Sequence, residues 1–126
     1  MRLEFFLAQD NHSDARSVVC LPSVPHTFEG HAGLLHGGII ATLLDECMSK
    51  SVRAHGFTAM TRHMEVDYLR PVPSATPLRI EARVTRTEGR KHWSEARILD
   101  GHGKVLAQSK GLFVEVKTGT PPHPAP

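Results

Sequence analysis

The chain has 126 residues, 15 of them basic and 13 acidic, with a net charge of +2. That length fits one globular domain with its own core, and the charge balance excludes a polybasic nucleic-acid arm or an acidic tail. The least polar run, Gly37 to Leu44, is far short of the ~20 residues a membrane-spanning helix needs, so neither a nucleic-acid nor a membrane partner is expected.

In chain order, Leu3–Leu7 and Arg16–Leu21 are strand candidates. Glu4 interrupts any apolar signal core after Met1-Arg2-Leu3, and the expected compartment is the cytoplasm. Pro22 to Leu35 holds two prolines and two glycines and is predicted to be an irregular loop. From His36 to about Ala54, apolar residues fall at Ile40, Leu43, Leu44, Cys47, Met48 and Val52. That is one buried stripe at helical spacing, and His55-Gly56 is a plausible stop. The period then changes from 3.6 to 2. Met60, Met64, Val66 and Tyr68 alternate with polar Thr61, His63, Glu65 and Asp67, which predicts a half-buried strand. Leu78 to Thr85 alternates in the same way. Glu88-Gly89 and Asp100-Gly101-His102-Gly103 are turn signals that delimit strands over Lys91–Leu99 and Val105–Val116. The last strand is expected to change face near Ser109–Gly111 at a bulge.

These elements predict an α+β domain over residues 1–116, with one long helix across one face of an antiparallel meander of four strands. Residues 117–126 contain four prolines and read as a frayed tail. Cys20 and Cys47 form no CxxC pair, and two buried thiols are expected in place of a disulfide or a zinc site.

The informative stretch is Gly33-Leu-Leu-His36-Gly37-Gly38, followed by Leu-Leu-Asp45-Glu46. Two glycines at a helix start do not help propagate it, at about 1 kcal/mol per interior glycine. They leave backbone N–H groups uncovered at the positive end of the helix dipole, where a carbonyl or oxyanion can be held. Close backbone packing is the competing reason for such a pair. Asp45 lies at the border of the apolar stripe, and a carboxylate there needs a partner, with Thr42 and Ser49 within reach. His36 and Asp45 are nine residues apart, roughly 13 Å along a helix and on opposite faces. If both ends serve one reaction centre, two copies of the helix must meet, each presenting its N-terminus to the other's carboxylate.

His36-Gly37-Gly38 with Asp45 nine residues after the histidine resembles the hotdog-fold acyl-CoA thioesterases of the phenylacetate-pathway type. Thr61-Arg-His-Met-Glu-Val-Asp-Tyr-Leu-Arg-Pro71 is similar to the family's strand ending in proline, and Gly103–Gln108 to its last strand. The resemblance covers about residues 16 to 116. It implies a long central helix wrapped by an antiparallel sheet, assembly into homodimers or tetramers, hydrolysis of an acyl-CoA thioester, and no cofactor or metal. Asp45 matches the catalytic carboxylate, acting as general base on water or as nucleophile. Gly37, with Gly38 beside it, matches the amide that polarises the thioester carbonyl across the interface. His36 matches the residue that organises the helix start, and Thr61 the hydroxyl that orients water. The chain departs from several members at Gly30, where they carry an asparagine, and His31 follows.

Seven basic residues against three acidic ones between Arg70 and Arg97 suit a polyphosphate ligand. By the resemblance, the coenzyme A contacts fall at Gly38, His63, Arg70 and Pro71, and at the hairpin Gly89, Arg90, Lys91 and His92. A metal centre built from His31, His36 and Asp45 lacks ligand spacing. The alternative function is a non-catalytic acyl-CoA-binding protein of the same fold, which has no need of a carboxylate beside the thioester.

Overall fold

A computed structural model describes residues 5–7, 18–20, 29–31 and 33–116. The expected tail at 117–126 and most of the loop predicted from residue 22 lie outside the described residues. The described elements run β1 (Phe5–Leu7), β2 (Val18–Cys20), β3 (Glu29–His31), β4 (Leu34–Leu35), α1 (Gly37–Ala54), β5 (Ala59–Tyr68), β6 (Arg79–Glu88), β7 (Lys91–Leu99) and β8 (Val105–Glu115).

Helix α1 forms where the periodicity places it. Its buried face is Ile40, Leu43, Leu44, Cys47, Met48, Ser51 and Val52, all lying against the sheet. Complete burial of a leucine or methionine contributes about 1.5–3 kcal/mol, so this stripe seats the helix firmly. His55 is the C-cap, and Gly56 follows at φ +90°, a conformation that glycine adopts without penalty. Ser51 is the polar member of the stripe. Its hydroxyl lies 2.6 Å from the Met48 carbonyl and 2.7 Å from Ser94 Oγ, and Ser94 donates to the Arg83 carbonyl at 3.0 Å, so the buried hydroxyls are satisfied.

The main sheet has the order β1-β2-β6-β7-β8-β5, antiparallel throughout. This corrects the meander expected from chain order. Strands β6, β7 and β8 are consecutive hairpins, but β5 pairs with β8 at the far edge. The reason is the connection over residues 69–78, which carries Pro71, Pro73 and Pro77 and is no hairpin turn. It returns past the segment ahead of the helix. Leu35 donates to Val72 O at 2.9 Å, Ser74 donates to Gly33 O at 3.0 Å, and Leu34 bridges Pro73. The predicted loop before α1 thus contains the short β3–β4 ladder, held by that strap.

The face change in β8 is also not where the alternation suggested. Ala107, Ser109, Gly111 and Phe113 all face the helix without a break, and both Leu106 and Ala107 are buried where the β7–β8 register shifts. Ser109 and Gly111 leave room for Met48. A Cβ on Gly111 would lie 3.0 Å from the Phe113 ring and 3.1 Å from Met48 Cε. At the β7–β8 turn, the Asp100 carboxylate accepts from the amides of Lys104 and His102, and these bonds hold it below the usual carboxylate range.

Cys47 is buried, with Sγ 3.7 Å from the Ile80 carbonyl, and the Cys20 side chain lies outside the described residues. Among the described residues, no helix is long and apolar enough to cross a membrane.

The tight fit at Gly111 gives a stability test. Gly111→Ala should destabilise the fold by about 1–3 kcal/mol through overpacking against Phe113 and Met48, read as a lowered urea midpoint at unchanged slope.

Candidate active site

The start of α1 is built by His36. Its backbone is extended, at φ −64° and ψ 142°, and its Nδ1 accepts the Gly38 amide at 2.9 Å, as an N-cap side chain does. Accepting at Nδ1 puts the proton of a neutral ring on Nε2. The amides of Ile39 and Ile40 bond to the His36 carbonyl at 3.0 and 3.1 Å. Among the described first-turn amides, Gly37 N–H is therefore the one left for a ligand. Gly38 is exposed, but its N–H is already engaged by His36. The pair of glycines thus divides: Gly37 presents a donor, and Gly38 accommodates the histidine cap. A Cβ on Gly38 would lie 3.1 Å from Nδ1. Gly30 packs at the same place, where a Cβ would come within 3.3 Å of His36 Cα. The His31 side chain lies outside the described residues.

Asp45 lies two turns further along the helix, half-buried at the edge of the stripe. Its hydrogen-bond partner is neither of the two expected. Thr42 Oγ1 turns back to the Gly38 carbonyl at 2.9 Å, and Thr61 Oγ1 donates to Asp45 Oδ1 at 2.7 Å. Simple alternation along β5 would put Thr61 on the same face as His63, away from the helix. The register of β5 against β8 shifts between Thr61 and His63, so Thr61 pairs with Phe113 and faces the helix, while His63 pairs with Leu112 and faces outward. The bulge is what delivers the hydroxyl to the carboxylate.

The structure thus brings Asp45 and Thr61 together and His36, Gly37 and Gly38 together, and keeps the two groups apart. Gly37 and Asp45 are eight helical steps apart, about 12 Å along the axis.

The expected coenzyme A contacts are dispersed. His63 is exposed on the outer face, 3.6 Å from Glu65. Arg70 and Pro71 are exposed at the end of β5. Gly89, at φ +60°, makes the two-residue turn between Glu88 and Lys91, and Lys91 is exposed. The Arg90 guanidinium donates to the Glu115 carbonyl at 2.7 Å. His92 differs from its neighbours. A register shift between Val84 and Arg86 sets Thr87 opposite it, on the helix side. There its ring is fully buried, stacked on Phe57 at 4.3 Å, with Nδ1 3.1 Å from Thr87 Oγ1 and Nε2 3.5 Å from Glu115. The His92 side chain is an interior group that braces the hairpin; the surface of the turn is left to Gly89, Arg90 and Lys91.

Sequence reasoning missed one residue at the helix start. Tyr68, the last residue of β5, donates its hydroxyl to the Gly37 carbonyl at 3.1 Å. Its place on the inward face was legible from the alternation; its meeting with Gly37 depends on where β5 sits in the sheet.

The thioesterase superfamily model matches residues 32–107, a stretch that runs from just before the His-Gly-Gly turn into β8. The chain belongs to the thioesterase superfamily. It is 29% identical over 114 residues to acyl-coenzyme A thioesterase THEM4 of Bos taurus, covering 90% of this chain and 46% of the relative. Against the Xenopus laevis THEM4 it is 30% identical over 102 residues, covering 80% and 46%. The chain therefore spans about half the length of the curated relatives it matches. The crystal structure of smu.793 from Streptococcus mutans UA159 bound to acetyl CoA superposes with a TM-score of 0.80 at 17% identity, covering 92% of this chain and 90% of that one, and shows a common fold. The architecture is the α+β hotdog fold.

The cap can be tested on its own. Gly38→Ala should push His36 off the Gly38 amide and cost about 1 kcal/mol of stability, the value of an N-cap; comparing its thermal melt with that of His36→Ala should give similar losses, which do not add in the double variant.

Proposed function

We propose that this chain hydrolyses acyl-CoA thioesters, with Asp45 and Thr61 as the reactive pair. The observation that carries the reading is the 2.7 Å bond from Thr61 to Asp45, on a family match that spans both residues. It fixes one carboxylate oxygen and leaves the other to work on the substrate. Acyl-CoA as the substrate class is supported by the names of the THEM4 relatives and by the acetyl CoA bound in the Streptococcus mutans structure.

In the hydrolytic step, a water oxygen bonds to the thioester carbonyl carbon as Asp45 takes its proton. Collapse of the tetrahedral intermediate breaks the C–S bond, and the proton passes to the departing thiolate of coenzyme A. Direct attack by the carboxylate, followed by hydrolysis of the anhydride, uses the same groups. Both routes place negative charge on the carbonyl oxygen, and the Gly37 amide at the positive end of α1 is the donor suited to it.

Gly37 and Asp45 of one copy are too far apart to act on one thioester carbonyl, so the working unit is a pair of chains, each lending its helix start to the other's Asp45. Strand β5 supports this reading. It is one edge of the described sheet, it is ten residues long, and it carries Met60 at 56% and Tyr68 at 54% exposure, with Leu69 just beyond at 53%. An edge of that kind is a template for pairing with another strand. The exposed cations Arg70 and Lys91, with Arg90 at the turn, are the groups offered to the coenzyme A phosphates.

The test is thiol release from a panel of phenylacetyl-, benzoyl-, short- and medium-chain acyl-CoAs, with Asp45→Ala in parallel. Turnover by the native chain should fall at least a thousandfold in the variant, while coenzyme A ester binding stays within a few-fold. Binding without turnover by the native chain would identify an acyl-CoA-binding protein instead.

A further inference from the structure

We infer that Tyr68 is a positioning residue for the Gly37 amide, a role that rests on the thioesterase reading above. The peptide unit joining Gly37 to Gly38 is held at both ends by side chains. The Tyr68 hydroxyl donates to its carbonyl oxygen at 3.1 Å, and its N–H donates to His36 Nδ1 at 2.9 Å. The ring of Tyr68 also leans on the helix start, 3.6 Å from where a Gly37 Cβ would sit.

This double hold answers a physical difficulty of the motif. Glycine has the widest backbone freedom of any residue, and two in succession make the first turn of α1 its loosest part. An amide that stabilises developing charge contributes most when its direction is fixed before the reaction. Because a peptide group is planar, anchoring its oxygen and its nitrogen removes the rotation about the Gly37 and Gly38 backbone that would re-aim the neighbouring Gly37 N–H. The two side chains restore the rigidity that the glycines give up. The anchoring hydroxyl comes from β5, the strand that also presents Thr61 to Asp45 at its other end. One strand therefore aligns the electrophile-binding end of one site and the carboxylate end of the other.

A purely structural role would show in stability. Tyr68 is half exposed, and the Gly37 carbonyl keeps its place in the helix, so the hydroxyl contributes little to folding. Loss of a direct oxyanion donor typically costs about 10²–10³-fold in kcat; a residue that acts through the peptide should cost less, about tenfold.

The experiment compares Tyr68→Phe with the native chain in three readouts. These are kcat and KM on the best acyl-CoA of the panel, the melting temperature, and the ¹⁵N–¹H resonance and exchange rate of the Gly38 amide. The expected result is kcat lowered about tenfold, KM within twofold, a melting temperature within ~2 °C, and a shifted, faster-exchanging Gly38 amide. Native kcat in the variant would overturn the proposal, whatever the amide does. So would a loss of rate that tracks a drop in melting temperature of about 10 °C, which assigns the hydroxyl to folding. A native chain that hydrolyses no thioester overturns the functional reading and the proposal with it; the first two outcomes leave that reading standing.

Discussion

The seating of α1 on the sheet sets every distance at the site. Its stripe from Ile40 to Val52 is buried without a gap, and the small residues Ser109 and Gly111 let Met48 approach the sheet at contact distance. A helix held this way has no freedom to slide or roll, because moving it by one residue would bring charged Glu46 toward the core and expose Met48. The two ends of chemical interest, the Gly37 amide and the Asp45 carboxylate, therefore stand at a fixed separation. That separation is too large for one substrate carbonyl, and it is the physical reason why a second copy enters the functional account.

Strand β5 converts the seated helix into a site. Its bulge between Thr61 and His63 turns Thr61 toward Asp45, and its last residue brings the Tyr68 hydroxyl to the Gly37 carbonyl. The connection after it straps down the segment that leads into His36. The same strand is an edge of the sheet, so the element that carries Thr61 and Tyr68 is also the one on which the proposed pairing of two copies rests.

Helix α1 and strands β5 to β8 were legible in the sequence because burial imposes clean periods. Ile40, Leu43, Leu44, Cys47 and Met48 can only share a face in a helix, and Ile80, Ala82 and Val84 only in a strand. Membership of the superfamily was legible as well, through the resemblance carried by the His36-Gly37-Gly38 stretch. What alternation does not carry is a register shift, since a bulge inserts one residue with no signature of its own. Three such shifts decide where Thr61, Thr87 and Leu106 point. The burial of the His92 side chain is equally absent from the local pattern, because its partners Thr87, Phe57 and Glu115 come from three other segments of the chain. The placement of β5 beside β8 had a faint signal in Pro71, Pro73 and Pro77, which are incompatible with a hairpin to β6.

The central claim is that each reaction centre combines Gly37 of one copy with Asp45 of another, and subunit mixing tests it most directly. Gly37→Pro removes the amide hydrogen at the first helical position, where proline is well tolerated; the extended His36 ahead of it already has the backbone that a following proline demands, and the added Cβ meets the Tyr68 ring at an ordinary contact distance of 3.6 Å. Gly37→Pro and Asp45→Ala should each be inactive alone. After they are dissociated together and reassembled, half of the pairs hold one site with both native groups, and about a quarter of native turnover should return. Mixed assemblies that form and stay inactive would contradict a site shared between two copies.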